Sequence, residues 1–233
     1  MTTLSINNVN AVFGKQVKDI LKNTQVLVLF AVFPVIAYVM STSMQTEGIF
    51  FASIFGTMHA VFTPLMATAS IIAEEKEKNT LRVLILANVK PLEYLLSIGS
   101  FVFILTNISS FLFAWLAGFC GAEYICFVLV MMLGSICSMI LGAALGVSSR
   151  NQMSATAEAI PLAMVFSFLP MLASFNVSIK SVSRFTFSQQ ISNLLASPAI
   201  KTFTAEPFII IGTNLLIIVL LFIFVFRRKG LDG

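Results

Sequence analysis

Few side chains in this sequence are of a type that could carry out chemistry. His59 is the only histidine among 233 residues, and it lies near the middle of an apolar stretch. An ionisable group at that depth in a membrane is a functional candidate by default. It could line a translocation path or respond to protonation. The alternative, which we favour, is a neutral imidazole that is hydrogen-bonded to the hydroxyl of Thr63, one helical turn further on.

The sequence argues against an ATPase site in this chain. A phosphate-binding loop requires the pattern GxxxxGK[ST]. The Gly14-Lys15 pair has Val9 where the first glycine of that pattern would stand. We therefore expect this chain to hydrolyse no ATP itself and to carry no nucleotide cofactor.

Proteolytic and metal-dependent chemistry are also disfavoured. Glu74-Glu75 ends an apolar span, as in intramembrane proteases of the Glu-Glu-xxx-Arg type, but residue 79 is Asn79 instead of arginine. Metal-dependent catalysis needs several histidine or carboxylate ligands within the spans. CxxC spacing is absent from the three cysteines, Cys120, Cys126 and Cys137. We expect no catalytic residue and no metal site.

Composition places the chain in a membrane. It is 58% hydrophobic and 10% charged, with a mean hydropathy of +0.97, whereas about a quarter of the residues in soluble domains are charged. The net charge of +4 does not indicate nucleic-acid binding, because the basic residues flank apolar runs and form no single patch. The class is an all-α integral membrane protein.

Six apolar runs are near the length of about 20 residues that crossing a bilayer requires. They form a bundle over residues 26–226 within a single domain, 1–233. The predicted spans are Val26–Ser43, 49–72, 95–119, 125–147, 159–175 and 208–226. The fourth span contains Gly142 and Gly146, a pair of small residues that allows close helix approach, either within the chain or between two copies.

Residues 6–24 predict an amphipathic helix. Its apolar residues recur every three or four positions, and its charged residues lie off that stripe. The sequence offers no soluble domain on which the stripe could pack. We therefore expect a helix in the membrane interface, with its lysines facing anionic lipid headgroups. The stripe comprises Ile6, Val9, Phe13, Val17, Ile20 and Leu21, and the lysines are Lys15, Lys18 and Lys22.

The distribution of lysine and arginine predicts the orientation. Eleven of these residues fall on one side of the six-span arrangement and three on the other. By the positive-inside rule, both termini and residues 74–94 are cytoplasmic. The eleven are Lys15, Lys18, Lys22, Lys76, Lys78, Arg82, Lys90, Arg150, Arg227, Arg228 and Lys229, against Lys180, Arg184 and Lys201.

The long outer connection, residues 176–207, is too apolar for a disordered loop. Helical spacing of its apolar residues predicts one or two short helices on, or dipping into, the outer leaflet. They form either an outer gate, through Phe187, Ile191 and Leu194, or a shield over the helix ends. Candidate residues for a translocation path are His59, Thr63 and Ser167.

Residues 74–94 form the longest polar interruption in the first two-thirds of the chain. Every residue from Glu74 to Lys78 is charged. Glu74 and Lys78 are four positions apart with the acid first, which favours a helical ion pair between them. Residues 81–87 are nearly all apolar, with Leu81, Leu84 and Ile85 on one helical face. We predict a helix too short to span a bilayer, buried by lipid, by the chain itself or by a partner protein.

This stretch resembles the cytoplasmic loop of the ABC-2 family of ABC-transporter permeases. The family pattern there has alternating acidic and basic residues, Gly-Thr, an apolar helix, a proline-containing turn and Glu-x-Leu-Leu. Asn79 stands where glycine is usual, but asparagine also tolerates the left-handed conformation. The residues that fit are Glu75, Lys76, Glu77, Lys78, Thr80, Leu81, Leu84, Leu86, Pro91, Glu93 and Leu95.

The resemblance implies a permease that pairs with a second, identical or similar permease and with two ATPase subunits, which bind ATP and magnesium. The loop would contain the coupling helix that sits in a groove of the ATPase, with residues 81–87 making the contact. Hydrolysis would then switch the bundle between inward-open and outward-open states. The implied ATPase-coupling residues are Glu75, Lys76, Glu77, Thr80, Leu81, Leu84, Ile85 and Pro91.

These features together favour a bacterial plasma-membrane exporter of a hydrophobic or amphipathic cargo, such as a peptide, drug or lipid. Two alternatives remain open. A membrane scaffold or sensor could use the same loop to recruit a cytoplasmic partner without transporting anything. An ion-coupled carrier would rely on His59, although such carriers usually have more than one buried titratable group.

Overall fold

The structure, a computed structural model, describes residues 5–44, 48–199 and 204–229. The described residues form ten α-helices and no strand. Six of the helices, α2, α3, α5, α6, α7 and α10, are long and apolar enough to cross a membrane, which confirms the predicted all-helical, six-span architecture. The helices are α1 (Ile6–Lys22), α2 (Thr24–Ser43), α3 (Gly48–Glu77), α4 (Thr80–Leu86), α5 (Pro91–Leu116), α6 (Ala122–Ser148), α7 (Gln152–Phe175), α8 (Val177–Ser183), α9 (Phe187–Ala196) and α10 (Ala205–Lys229).

α3 lies at the centre of the bundle. It packs against α2, α5, α6, α7 and α9. In its most apolar stretch of 18 residues, 72% of the residues are buried, compared with 11% in the corresponding stretch of α10. α10 packs mainly on α6 and α9, at the edge of the bundle. The large apolar side chains exposed along α2 and α10 suit a lipid environment.

α3 is longer than the second predicted span. We expected that span to end at residue 72, but the helix continues to Glu77 and takes in charged residues that we had placed in a loop. Its last turn is stabilised by its own charges, because Lys78 donates a hydrogen bond of 2.5 Å to Glu74, four residues earlier.

The buried apolar side chains form two clusters. The larger one joins α3 to α5, α6, α7 and α9. The second, which we call the basal cluster, joins α1 and α4 to the spans and includes Val12, Ile20, Leu81, Tyr94 and Ile98. It lies toward the end of the bundle where α3, α6 and α10 end and α5 and α7 begin. We call this end the charged end.

The close approach of α6 to α3 requires glycine. A side-chain carbon at Gly142 would overlap the carbonyl oxygen of Leu65, and one at Gly146 would lie 2.9 Å from the carbonyl oxygen of Ala69. Of the two alternatives for this small-residue pair, the structure therefore shows contact within the chain.

Replacing Gly142 with valine is expected to destabilise the bundle by about 1–3 kcal/mol, because the added carbons cannot avoid the backbone of α3. Thermal unfolding of the detergent-solubilised protein measures the change. Gly212→Val is the matched control, since nothing lies within 4 Å of a side-chain carbon at Gly212 in α10. Equal melting temperatures for the two variants would contradict the tight α3–α6 packing.

α1 packs on the chain itself, which corrects the expectation that its stripe has no protein to contact. Ser97 donates a hydrogen bond of 2.9 Å to the carbonyl oxygen of Val9, and the rings of Phe13 and Phe101 meet edge to face at 5.8 Å. Ile6, at the start of the predicted stripe, is 73% exposed.

The lysines of α1 also differ from the expectation. Lys15 is half-buried and turned toward α3 and not toward headgroups, because a buried carboxylate lies there, as described below. Lys18 is exposed, as expected. The side chains of Leu21 and Lys22 lie outside the described residues.

The outer connection contains two helices, α8 and α9, as the apolar spacing predicted. α9 enters the bundle and packs against α3, α6, α7 and α10. Asn176 and Thr186 begin α8 and α9 by accepting hydrogen bonds from backbone N–H groups of the first turns. Residues 45–47, 200–203 and 230–233, which include Lys201 of the orientation argument, lie outside the described residues.

Candidate functional site

The last turn of α3 joins three other helices at the charged end of the bundle. Three consecutive ionic residues, Glu75, Lys76 and Glu77, each reach a different helix: α1, α6 and α7 respectively. Consecutive residues on a helix point about 100° apart, so one turn can address several neighbours. The sequence singled out these three residues, but their partners lie 59 to 75 positions away.

Glu75 holds α1. Its side chain is 6% exposed, and its Oε1 accepts hydrogen bonds from Lys15 Nζ at 2.5 Å and from the Gln16 amide at 2.6 Å. The phenol of Tyr94, from α5, lies close enough to interact electrostatically with this carboxylate. Glu75 Oε2 and the Tyr94 hydroxyl are both buried, and among the described residues neither makes a hydrogen bond of good geometry. A buried carboxylate of this kind depends on Lys15 for compensation of its charge.

Lys76 holds the end of α6. Its ammonium donates to the carbonyl oxygens of Val147 at 2.9 Å and Ser149 at 3.1 Å. Lys229, at the end of α10, donates to the intervening carbonyl of Ser148 at 2.7 Å. Two cations from two other helices thus satisfy the carbonyl groups that an α-helix leaves unpaired at its C-terminus.

Glu77 holds the start of α7. Its Oε2 accepts a hydrogen bond of 2.9 Å from the backbone N–H of Gln152, the first residue of α7. A carboxylate is favourable there because helix N-termini carry unpaired N–H groups and partial positive charge. Next to Glu77 in the sequence, Lys78 is exposed, and its hydrogen bond to Glu74 raises its pKa.

A tight turn connects α3 to α4. Asn79 has a φ of 56°, the left-handed conformation that we expected asparagine to adopt in place of the usual glycine. The Thr80 hydroxyl donates to the carbonyl oxygen of Glu75 at 3.1 Å. The first residue of α4 is therefore hydrogen-bonded directly to the end of α3, and the two helices are connected without a flexible linker.

α4 has one buried and one exposed apolar face. Leu81 is 2% exposed and belongs to the basal cluster, while Leu84 is partly buried against it. Val83 and Leu86 are 63% and 80% exposed. The side chain of Ile85 lies outside the described residues. Leu81 and Leu84, which the resemblance implied as coupling residues, pack on the basal cluster, and Val83 and Leu86 form the apolar surface that remains exposed.

Glu93 completes the charged end, although we had quoted it only as part of the family pattern. Pro91 begins α5, and the Glu93 carboxylate accepts from the backbone N–H of Lys90 at 3.1 Å, which caps α5. It also accepts from the backbone N–H of Ser5 at 2.7 Å and the amide of Asn8 at 2.9 Å. The side chain is fully buried. The N-termini of α1 and α5 therefore meet at one carboxylate.

A cavity of about 650 Å³ opens beside Glu75, between α1, the start of α2 and the end of α3. Charges of both signs line it, including Asp19 and Lys78. Because the cations and carboxylates are mixed, the cavity shows no preference for an anion or a cation.

His59 is fully buried between α2, α3 and α5. Its Nε2 lies 3.3 Å from the carbonyl oxygen of Thr106, which can only accept, so Nε2 carries a proton. Nδ1 lies 3.2 Å from the Thr63 hydroxyl, the partner that we predicted. The same hydroxyl lies 3.3 Å from the carbonyl oxygen of Leu29, and its single proton can be donated to only one of these two acceptors at a time. His59 and Thr63 thus join three spans, and neither lines an open path within one chain.

Ser167, the third path candidate, is also buried, and its hydroxyl donates to the carbonyl oxygen of Ala163 at 2.5 Å. It borders a cavity of about 20 Å³ together with Thr57 and Ser192. That volume holds about one water molecule, so it is no passage for a cargo.

The proposed gate residues lie in the larger core cluster. Phe187 and Ile191 are fully buried and Leu194 is 5% exposed. The rings of Phe187 and Phe166 lie 5.3 Å apart, which places α9 firmly against α7. The three residues are packed in the part of the bundle away from the charged end, which fits either a gate or a shield.

The structure also identifies two residues at the charged end that the sequence did not indicate, Gln16 and Tyr94, and a partner for Lys229, which the sequence had placed at this end by its charge alone. Gln16 lies among the apolar residues of α1, and an amide on such a face is a signal for a buried polar partner.

Among the described residues, no group of histidine, cysteine and carboxylate side chains is arranged to hold a metal ion. Comparison of the chain with family models and with curated proteins found no match.

Proposed function

We propose that the chain is the membrane permease subunit of an ATP-driven exporter of the ABC-2 type. The observation that carries the proposal is α4, a short helix that exposes Val83 and Leu86 directly beside the last turn of α3. Exposed apolar residues on a rigidly held helix at a polar surface are typical of a protein contact. The resemblance of residues 74–94 to the ABC-2 coupling loop supports the assignment of the partner as an ATPase.

The connections of the charged end supply a mechanism. A force on α4 acts on the end of α3 through the Thr80 hydrogen bond, and from there on α1, α6 and α7 through Glu75, Lys76 and Glu77. Rigid elements joined in this way move together, as alternating access requires. ATP and magnesium belong to the ATPase subunits, and hydrolysis there displaces α4.

The charged end is cytoplasmic in this proposal, since Lys15, Lys76, Lys78 and Lys229 meet there. A second permease subunit, identical or similar, is also required, because the path candidates of one chain are packed and lead nowhere. The cargo is hydrophobic or amphipathic and passes between the two subunits across a bacterial plasma membrane.

The test is capture of an ATPase by variants of α4. Replacing Val83 and Leu86 with aspartate is expected to weaken association with the cognate ABC ATPase by at least about 100-fold, since two apolar side chains lose their burial. Association is measured by co-purification and titration after co-expression with the ABC ATPases of the same organism. ATP-dependent export from reconstituted vesicles should fall in parallel.

The matched control replaces Val177 and Val182, which are 85% and 69% exposed on α8 at the opposite end of the bundle. Aspartate at those positions should leave ATPase capture unchanged. Leu81→Asp is unsuitable for this purpose because Leu81 is buried, and the variant should unfold rather than uncouple. Full ATPase capture and export by the Val83/Leu86 variant would refute the coupling role.

A scaffold or sensor that recruits a partner without transporting anything is the second candidate. The packing of His59, Thr63 and Ser167 favours it, since no passage is open at these residues. Vesicles that contain permease and ATPase distinguish the two. ATP-dependent movement of any member of a panel of amphipathic peptides and drugs supports the exporter, and ATPase capture without movement supports the scaffold.

A further inference from the structure

A groove of about 630 Å³ runs along the outside of the bundle between α5 and α10, with α3 and α6 as its floor. It is lined almost entirely by apolar side chains. Small residues create the depression: Gly99 and Ser100 on α5, and Ala143 on α6. A side-chain carbon at Gly99 would meet only Met139, at 3.7 Å, so the groove has room for an occupant.

The groove opens sideways, toward the membrane. Leu92 and Leu96, on its α5 wall, are 54% and 47% exposed, and Ile223, on its α10 wall, is 40% exposed. All of the helices that line it are long and apolar enough to cross a bilayer. Hydrocarbon chains of lipid therefore have direct access to the groove.

Two lysines follow the lining residues toward the mouth of the groove at the charged end, although neither lysine lines the groove itself. Ile72 and Phe222 line the groove, and Lys76 and Lys229 follow them on the same helical faces, four and seven positions further on. Both ammonium groups converge on the last carbonyls of α6. Neither forms an ion pair with a carboxylate among the described residues.

We propose that this groove is a binding site for an anionic phospholipid of the leaflet at the charged end. One acyl chain fills the apolar groove, and the phosphate lies at its mouth against Lys229 and Lys76. Basic pockets between transmembrane helices bind anionic headgroups in this way. The inference concerns the membrane environment of the chain and does not depend on export or on an ATPase.

The size of the groove favours an acyl chain over a helix of a second copy. One turn of α-helix occupies about 400 Å³, given a diameter of about 10 Å and a pitch of 5.4 Å. The groove would therefore hold little more than one turn, whereas a membrane-spanning contact between helices extends over several. Lys76 and Lys229 donate to the last carbonyls of α6 but form no ion pair among the described residues. Their positive charge favours an anion nearby, which a second copy of the apolar face of α10 would not supply.

The experiment titrates the purified chain in detergent with phosphatidylglycerol and with phosphatidylcholine that has the same acyl chains, and counts bound lipids by native mass spectrometry. The wild-type chain is expected to bind phosphatidylglycerol about tenfold more tightly. Lys229→Gln should weaken phosphatidylglycerol binding about fivefold and leave phosphatidylcholine binding unchanged. Gly99→Leu should reduce the binding of both lipids, because leucine fills the groove.

Matched controls separate a site from general attraction. Arg227→Gln removes the same charge from the same end of α10 but on another face, and it should leave both affinities unchanged. Gly212→Leu, where the added side chain meets nothing within 4 Å, controls for Gly99→Leu. Equal binding of the two lipids by the wild-type chain, or equal losses in Arg227→Gln and Lys229→Gln, would overturn the proposal. Melting temperatures that match the wild type confirm that each variant is folded.

Discussion

Replacing Lys15 with methionine is expected to destabilise the protein by about 3 kcal/mol, which would be among the largest effects of any substitution at a polar position. Among the described residues, Lys15 is the only cation that forms an ion pair with the Glu75 carboxylate, at 2.5 Å. Glu75 is 6% exposed, so without Lys15 a nearly buried charge would have only the Gln16 amide to stabilise it. A buried charge that loses its partner costs far more than a surface pair contributes.

Substitutions of Lys15 and of Glu75 should change the free energy of unfolding by different amounts. Glu75→Gln is expected to cost about 1 kcal/mol, because a neutral amide is easier to bury and the Lys15 side chain, 32% exposed, can reach water. The double variant should then resemble Glu75→Gln alone, since the uncompensated charge is gone. The free energy of unfolding of the four proteins in detergent, measured with denaturant, forms a double-mutant cycle.

Lys18→Met is the matched control, since Lys18 lies on the same helix but is exposed, and its loss should change stability by less than about 0.5 kcal/mol. Additive effects of Lys15→Met and Glu75→Gln would contradict the interaction between α1 and α3. If the cycle shows coupling, α1 is part of the same mechanical unit as the end of α3.

Much of the fold could be predicted because it depends on local patterns. Six hydrophobic runs of the right length predicted six spans, and the spans differ from the helices mainly at their ends. The apolar heptapeptide Thr80–Leu86, between polar flanks, predicted a separate short helix. The left-handed Asn79 followed from the conformational tolerance of a single residue type. Each of these features is determined within a few residues of sequence.

The partners of the charged residues could not be predicted because they depend on tertiary contacts. Glu93 looked like part of a loop pattern, but two of its hydrogen-bond donors lie 85 and 88 positions away, on α1 and just before it. No periodicity in one helix indicates which face of another helix it will meet. The same limit explains the misassigned Lys15 of α1, whose ammonium group fits a lipid headgroup and a buried carboxylate equally well.

The contact face of α4 illustrates a further limit. Leu81, Leu84, Val83 and Leu86 are all apolar, so hydrophobicity could not separate the residues that anchor the helix from those that remain exposed. The structure separates them by burial, with Leu81 at 2% and Leu86 at 80% exposure. The sequence therefore predicted a short apolar helix but not which of its residues stay exposed, and the ATPase-capture experiment depends on that distinction.

Replacing Glu93 with alanine is expected to release the N-terminal part of α1 from the bundle. The carboxylate accepts hydrogen bonds from Ser5, Asn8 and Lys90, and the N-termini of two helices point at it. Alanine would leave all three donors without their acceptor and remove the negative charge that both helix dipoles favour. We expect the melting temperature to fall by about 5–10 °C.

Local measurements distinguish this release from general destabilisation. Hydrogen exchange should accelerate most at the backbone amides of the first two turns of α1 and the first turn of α5, and least in α6. Glu93→Gln should be intermediate, because the amide keeps one accepting oxygen. Glu123→Ala, which removes an exposed acid from the first turn of α6 at the opposite end, is the matched control and should match the wild type.

Uniform acceleration of exchange along the chain would show general destabilisation, and acceleration confined to the first turn of α5 would show that Glu93 merely caps that helix. Acceleration confined to α1 and the start of α5 would show that one carboxylate joins the two helices. Glu93 would then fix the N-terminus of α1, and the Lys15–Glu75 ion pair would fix its middle. A helix held at both points must move when α3 and α5 move, so displacement of α4 would be transmitted to α1 as well as to the spans.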